Sequence, residues 1–395
     1  MTSPTTGAGA DSSVNGPDAA RQSLATGTAG IALLHLERAL AGTGSCADAH
    51  RQIRAAATGP LDGGLHTGLY YGTPAIAFLL HCAGKADGRY ETAAATLDQH
   101  VARLTHRRLT AAADRMQHGG AGSLGEYDLF YGLTGIGVLL MQRMPRSDIF
   151  ADVLRYLTVL VRPREQDGLL LPGWWAAHDP DPILPTPGGH ANLGMAHGAA
   201  GILALLALAM CHGHVVEHHG EAIDQLTQCF DRWRQHDAKG DTWWPQWLTR
   251  DDLQAGRPRQ PAPGRPSWCY GTPGIARALQ LAAIATNDPG RRADAEHALA
   301  ACLTDVHLSR LTDLGLCHGL AGVYATAHRA AADAQEPSLT QSLPAVTTAI
   351  QTAAHHHDHH DTPGLLTGHA GIHLAAETAR NGTTGTGWDT CLLIT

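Results

Sequence analysis

The chain has 395 residues, 44% of them hydrophobic and 16% charged, with a formal net charge of −8. That balance excludes a disordered or collagen-like chain, and basic residues scattered rather than gathered into a stripe argue against a nucleic-acid partner. The longest apolar run, Ile202 to Cys211, is too short to span a bilayer.

Residues 1 to about 20 are small and polar, without the basic and apolar blocks of a signal peptide. They predict a disordered tail in front of one folded domain over 21–395, and a cytoplasmic protein. From there one phrase recurs seven times: TGTAGIALL at Gly27, YGTPAIAFLL at Gly72, YGLTGIGVLL at Gly132, HGAAGILALL at Gly198, YGTPGIARAL at Gly271, HGLAGVYATA at Gly319 and TGHAGIHLAA at Gly368. The mean spacing of about 57 residues between Gly27 and Gly368 suits one helical hairpin per unit.

The stretch after each motif is apolar on nearly every side, as in Ile202 to Leu208, and so predicts a buried inner helix. Between motifs lie one-sided stripes such as Ile223, Leu226, Phe230 and Trp233, or Ile149, Val153, Tyr156 and Leu160, which predict outer helices. The simplest closure is an all-α barrel of seven inner and seven outer helices. The glycines are expected where a loop enters an inner helix, giving positive φ and close backbone approach at a crowded mouth. Two longer connections, 172–190 and 242–266, carry Trp and Pro and could overhang that mouth; their aromatics either pack the loop or touch substrate.

Aligning the units on their first glycine places residues of different units at one level. Unit three then offers Asp128, unit four His197, unit five Cys269 and Tyr270, and unit six Cys317 and His318. Two thiolates and an imidazole leave a fourth coordination position open, which is the pattern of a catalytic zinc site. The competing reading, two buried thiols, is disfavoured because both cysteines occupy the same slot of adjacent repeats. The other six cysteines are assigned to packing. A zinc ion with these ligands can accept a thiol and hold it as thiolate, which suits sulfur alkylation better than hydrolysis.

His197 faces the same mouth as a proton donor or acceptor; a fourth ligand or a core histidine are its other readings. Asp128 either fixes the His197 tautomer, binds substrate or caps a helix. Arg265, four residues before Cys269, stabilises a developing enolate, holds a substrate carbonyl or is a solvated loop residue. Tyr270 can hydrogen-bond to substrate or to the ligand shell. The histidine-rich tract 354–361 reads as a solvated loop, as do His212, His214, His218 and His219.

SWCYGTPGIA, GLCHGLAGV, LGMAHGAAGI and YDLFYGLTGI together resemble the lanthionine synthetase C family, over a span from about residue 24 to the terminal WDTCLLIT. The resemblance implies an α/α toroid holding one zinc ion on Cys269, Cys317 and His318. It implies a reaction in which a cysteine of a dehydrated precursor peptide adds to a dehydroalanine or dehydrobutyrine of the same peptide. His197, Asp128 and Arg265 then become the acid, base or substrate-orienting groups, with His197 chosen to protonate the enolate. Two departures stand out: Ala75 replaces the second glycine of unit two, and Pro266 follows Arg265 where an acidic residue is frequent in the family. The length implies the stand-alone type, supplied by a separate dehydratase. A complex with that dehydratase and an export transporter, and through it peripheral membrane association, belongs to the same implication.

Three other readings compete. The same site could add glutathione or another small thiol to dehydroamino acids in a protein. The chain could instead be a non-catalytic peptide-binding scaffold whose zinc only stabilises the mouth. A carbohydrate-active barrel ranks last, because it needs paired carboxylates in the cavity.

Overall fold

The computed structural model describes residues 20–181, 183–356 and 362–395. The proposed tail over 1–19 and the histidines at 357, 359 and 360 lie outside them. Each motif opens a helix: Thr28–Leu40, Thr73–Ala86, Leu133–Arg143, Ala199–Cys211, Thr272–Thr286, Leu320–Ala332 and His369–Asn381. Each of these packs on the next, and the seventh packs back on the first, so the inner helices form a closed ring. The chain is an all-α, α/α toroid.

Among the described residues six outer helices lie against this ring: Cys46–Ala56, Glu91–Gln117, Asp148–Leu160, His219–Trp233, Pro289–Ala301 and Pro337–His356. Their stripes point inward as the periodicity requires, with Ile223, Leu226, Phe230 and Trp233 all buried. After the seventh inner helix the chain turns into the ring instead of running outside it. Its 3₁₀ turn, Trp388–Leu392, is buried, and it is held from opposite sides of the toroid. Tyr70 Oη donates to the Cys391 carbonyl at 2.8 Å, Trp268 Nε1 to Leu392 at 3.0 Å and Arg277 Nε to Ile394 at 2.9 Å. This segment plugs the barrel and gives the buried Arg277 guanidinium an acceptor.

The loops that lead into the inner helices are stitched into a second ring by main-chain hydrogen bonds. Leu24 N donates to Tyr70 O at 3.0 Å, Tyr70 N to Phe130 O at 3.4 Å, Leu129 N to Ala196 O at 3.0 Å and Ala196 N to Cys269 O at 3.2 Å. Cys269 N then donates to Cys317 O at 3.3 Å, Cys317 N to Leu366 O at 2.8 Å, and Leu366 N to Ala25 O at 3.0 Å, which closes the circle. These bonds satisfy loop backbone that would otherwise be buried unpaired. They also fix the height of every residue two places before a motif glycine.

The glycines serve close approach more than positive φ. At the second motif glycine of six units a Cβ would sit 1.9–2.4 Å from a carbonyl oxygen of the preceding loop, for example 1.9 Å from Leu316 O at Gly322 and 2.0 Å from Trp268 O at Gly274. Of the first glycines only Gly72 has positive φ, at 70°; Gly27, Gly132, Gly198, Gly271, Gly319 and Gly368 are extended. Of the two freedoms expected of these glycines, close approach is used widely and positive φ at Gly72 alone among the first glycines. Unit two, with its different first-glycine conformation, is also the unit that carries Ala75 in the second slot.

The two long connections meet above units four and five. His190–Asn192 pairs antiparallel with Trp247–Thr249 in a short ribbon, and Leu193 N extends it by donating to Gln246 O at 3.0 Å. Trp174, Trp175, Trp243 and Trp244 are buried within these loops, so packing accounts for them. Trp247 is half-buried and faces Tyr270, with ring centroids 6.4 Å apart.

Candidate metal centre

The loop ring gives consecutive residues opposite surroundings. All seven residues two places before the glycine, Ala25, Tyr70, Phe130, Ala196, Cys269, Cys317 and Leu366, are buried. Their successors are half-buried or exposed and all carry a hydrogen-bonding side chain: Thr26, Tyr71, Tyr131, His197, Tyr270, His318 and Thr367. These successors form the rim of the mouth.

At units five and six the two layers meet. Cys269 Sγ is 3.3 Å from His318 Nδ1, and the ligand atoms of Cys269, Cys317 and His318 all lie within 4.8 Å of one another. Zinc–sulfur bonds of about 2.3 Å and zinc–nitrogen bonds of about 2.0 Å at a tetrahedral angle need sulfur and nitrogen about 3.5 Å apart. The donor set and its spacing therefore fit a zinc ion with three protein ligands.

Electrostatics point the same way. Burial pushes the Cys269 thiol up, but contacts with Cys317 and His318 outweigh it and hold the group well below the usual thiol range. The Cys317 thiol is pushed up by its contact with Cys269 and by burial. Burial lowers the His318 imidazole, yet Cys269 raises it overall. Thiolate character is thus favoured at Cys269, and a divalent ion bound here would compete with the protons of the trio. Ser267 Oγ lies 3.6 Å from Cys269 Sγ, a contact that the sequence did not single out.

One unit away, His197 Nδ1 is 2.6 Å from Asp128 Oδ2, with the Asp128 side chain fully buried. The other carboxylate oxygen accepts from Tyr131 N at 2.7 Å and Gly132 N at 2.8 Å. Asp128 therefore combines two of its three readings: it caps the turn into the inner helix and it holds the histidine. A carboxylate accepts, so the proton of the imidazole sits on Nδ1 and the lone pair on Nε2. The edge of Phe130 packs on the His197 ring at 4.7 Å between centroids.

Tyr270 sits between the pair and the trio, its ring 5.8 Å from that of His197. Burial first, and then Cys269, push its phenol far above the usual range, so it stays a neutral donor. Arg265 Nη1 donates to Thr312 Oγ1 at 3.2 Å, and its charge lowers both Cys317 and His318. The six residues singled out by the repeat thus lie at one mouth, with Arg265 beside them. Across it, Tyr71 and Tyr131 stack at 4.7 Å with an interplanar angle of 3°. The repeat alignment passed over this pair, although the hydrogen-bonding residue before every motif glycine was its signal.

No described helix is long and apolar enough to cross a membrane. The chain is 25% identical to the nisin biosynthesis protein NisC of Lactococcus lactis subsp. lactis over 203 residues, which are 50% of this chain and 47% of that protein. The aligned stretch thus spans about half the length of that relative. A solved structure of nisin cyclase superposes with a TM-score of 0.80 at 20% identity, covering 95% of this chain and 92% of that one. The family profile of lanthionine synthetase C-like proteins matches residues 18–393, and the chain belongs to that family.

Proposed function

We propose that the protein is a zinc-dependent lanthipeptide cyclase, which adds cysteine thiols of a dehydrated precursor peptide to dehydroalanine or dehydrobutyrine and forms (methyl)lanthionine thioethers. The observation that carries this reading is a Cys2His trio and a buried Asp–His pair held on one loop ring. Cys269, Cys317 and His318 would hold one zinc ion, which when bound lowers the pKa of a substrate thiol and keeps it as a nucleophilic thiolate.

The chain's own residues supply the rest. Arg265, anchored by Thr312, is placed to hold the carbonyl oxygen of the dehydro residue and to stabilise the enolate that forms there as the carbon–sulfur bond closes. His197 Nε2 carries the proton that reaches the α-carbon, and Asp128 keeps the ring oriented and compensates its charge. Tyr270 offers a neutral hydroxyl between them. The thiol loses a proton and the α-carbon gains one, so mass is unchanged.

The test is to incubate the protein with a dehydrated, uncyclised precursor and to count free thiols by alkylation and mass spectrometry. Thiols should disappear with no change in peptide mass. Thiols that stay alkylatable at the rate of an enzyme-free control would overturn the reading. A gain of one thiol mass per site would assign the site to intermolecular addition of glutathione instead. A separate dehydratase would supply the substrate, and joint assembly with it and an exporter is part of this proposal.

A further inference from the structure

A second set of ligand-bearing side chains lies beneath the loop that carries Arg265. The strands Gln235–His236 and Thr242–Trp243 form a hairpin whose turn holds Asp237 and Asp241. Opposite it, after the outer helix of unit five, the short helical turn Asp305–Leu308 carries His307, which is only 8% exposed. One ligand atom from each of Asp237, Asp241 and His307 lies within 4.8 Å of the other two. The cleft between them leaves about 10 Å³ for the centre of a water-sized body, which is room for a single ion or water.

Three features distinguish this set from an ordinary acidic turn. The first is the buried imidazole: Nδ1 of His307 is 2.9 Å from Thr304 Oγ1, which fixes the ring and leaves Nε2 as the second nitrogen. Metal-ligating histidines are commonly held in this way by a partner on the other nitrogen. Second, among the described residues no hydrogen bond reaches the Asp241 carboxylate, while Asp237 Oδ1 accepts from Lys239 N and Asp241 N. Third, Arg310 also lines the cleft, yet its guanidinium donates to the Pro263 carbonyl and to neither carboxylate. Among the described residues neither carboxylate is held in an ion pair, and both face the buried imidazole, whose charge together with that of Lys239 acts on Asp237.

We propose that Asp237, Asp241 and His307 form a second divalent-cation site. Two carboxylate oxygens and one imidazole nitrogen are the donor set of a borderline transition ion such as Zn2+ or Mn2+, completed by water. The site would tie the hairpin to the segment 305–312. That same segment holds the loop of Arg265 twice, through Arg310 on Pro263 and through Thr312 on Arg265 itself. The cation would brace the support of Arg265 from behind, without touching substrate.

The experiment uses the full-length protein loaded with Zn2+, passed through a weak chelator and desalted, with bound metal counted per chain by mass spectrometry. Wild type is compared with D241N, H307Q and C317A. The histidine-rich stretch 354–361 is common to all four, so only differences are read. D241N and H307Q should each hold one ion fewer than wild type, and with Co2+ both should keep the thiolate-to-cobalt absorption of the first site. C317A should lose that absorption and one ion of its own, so it reports on the first site alone. If D241N and H307Q hold as much metal as wild type, the second site does not exist. Should H307Q lose its helical circular dichroism, D241N on the hairpin turn decides alone.

Discussion

Replacing Asp128 by Asn separates the two tasks of that side chain. The amide oxygen can keep both main-chain donors, Tyr131 N at 2.7 Å and Gly132 N at 2.8 Å, so the turn stays satisfied. The amide nitrogen then replaces Oδ2, 2.6 Å from His197 Nδ1, and donates where the carboxylate accepted. The ring proton is driven to Nε2, and forming an imidazolium sets two donors against each other. The loss is one hydrogen bond to a charged group, about 1.5–3 kcal/mol, or roughly 10- to 150-fold in rate at about 1.4 kcal/mol per decade. H197A, which removes the group altogether, should lose about 10²- to 10⁴-fold. The assay is single-turnover cyclisation of a dehydrated precursor, read by thiol alkylation, alongside denaturant unfolding. D128N should unfold near wild type, whereas D128A strands two buried amides and should lose about 1–3 kcal/mol. Wild-type turnover in D128N, or equal destabilisation of D128N and D128A, would refute the division of labour.

Three further outcomes are expected. Zinc chelation or C317A should abolish cyclisation while leaving the helical circular dichroism intact, because the toroid buries its own apolar helices; unfolding on chelation would make the site structural. Gly322→Ala would drive a Cβ to 1.9 Å from Leu316 O and should destabilise by about 1–3 kcal/mol, whereas Gly125→Ala, with open space around it, should change stability little; equal denaturant midpoints would contradict the close-approach argument. His190 is fully buried, and burial lowers its imidazole from 6.5 to about 4. The unfolded chain therefore binds more protons between those values, so stability is full above pH 6.5 and falls as the pH drops toward 4, by roughly 3 kcal/mol at most from this group. H190Q should flatten that part of the stability curve, and an unchanged slope would discount His190 as its source.

The repeat made the ring of helices and the level of the site readable, since a period of about 57 residues places Cys269, Cys317, His318 and His197 in equivalent slots without any contact being known. Two things stayed hidden because they depend on partners distant in sequence, and a third because it depends on how the adjoining loop folds. The stretch Trp388–Leu392 reads as another apolar segment, and nothing local says that it enters the barrel to meet Tyr70, Trp268 and Arg277. The pairing of His190–Asn192 with Trp247–Thr249 joins two loops rich in Pro and Trp that carry no strand periodicity. The role of the glycines was only half legible: a pattern shows where a Cβ is missing, but the carbonyl that excludes it lies in the folded loop.

The circle of main-chain bonds has a consequence for how such a site can be changed. Each link joins amide to carbonyl, so the circle is indifferent to the side chain that hangs from it, and its seven buried slots hold Ala, Tyr, Phe, Ala, Cys, Cys and Leu. Moving the cysteines one unit round, or exchanging Tyr70 and Phe130 for other residues that fill the same volume, leaves every link in place. The main-chain circle is in this sense a turret with seven stations, of which Tyr70 alone also holds the C-terminal segment through its hydroxyl. Substituting those stations, with the glycines left alone, is the route by which the same frame could be re-armed for a different electrophile.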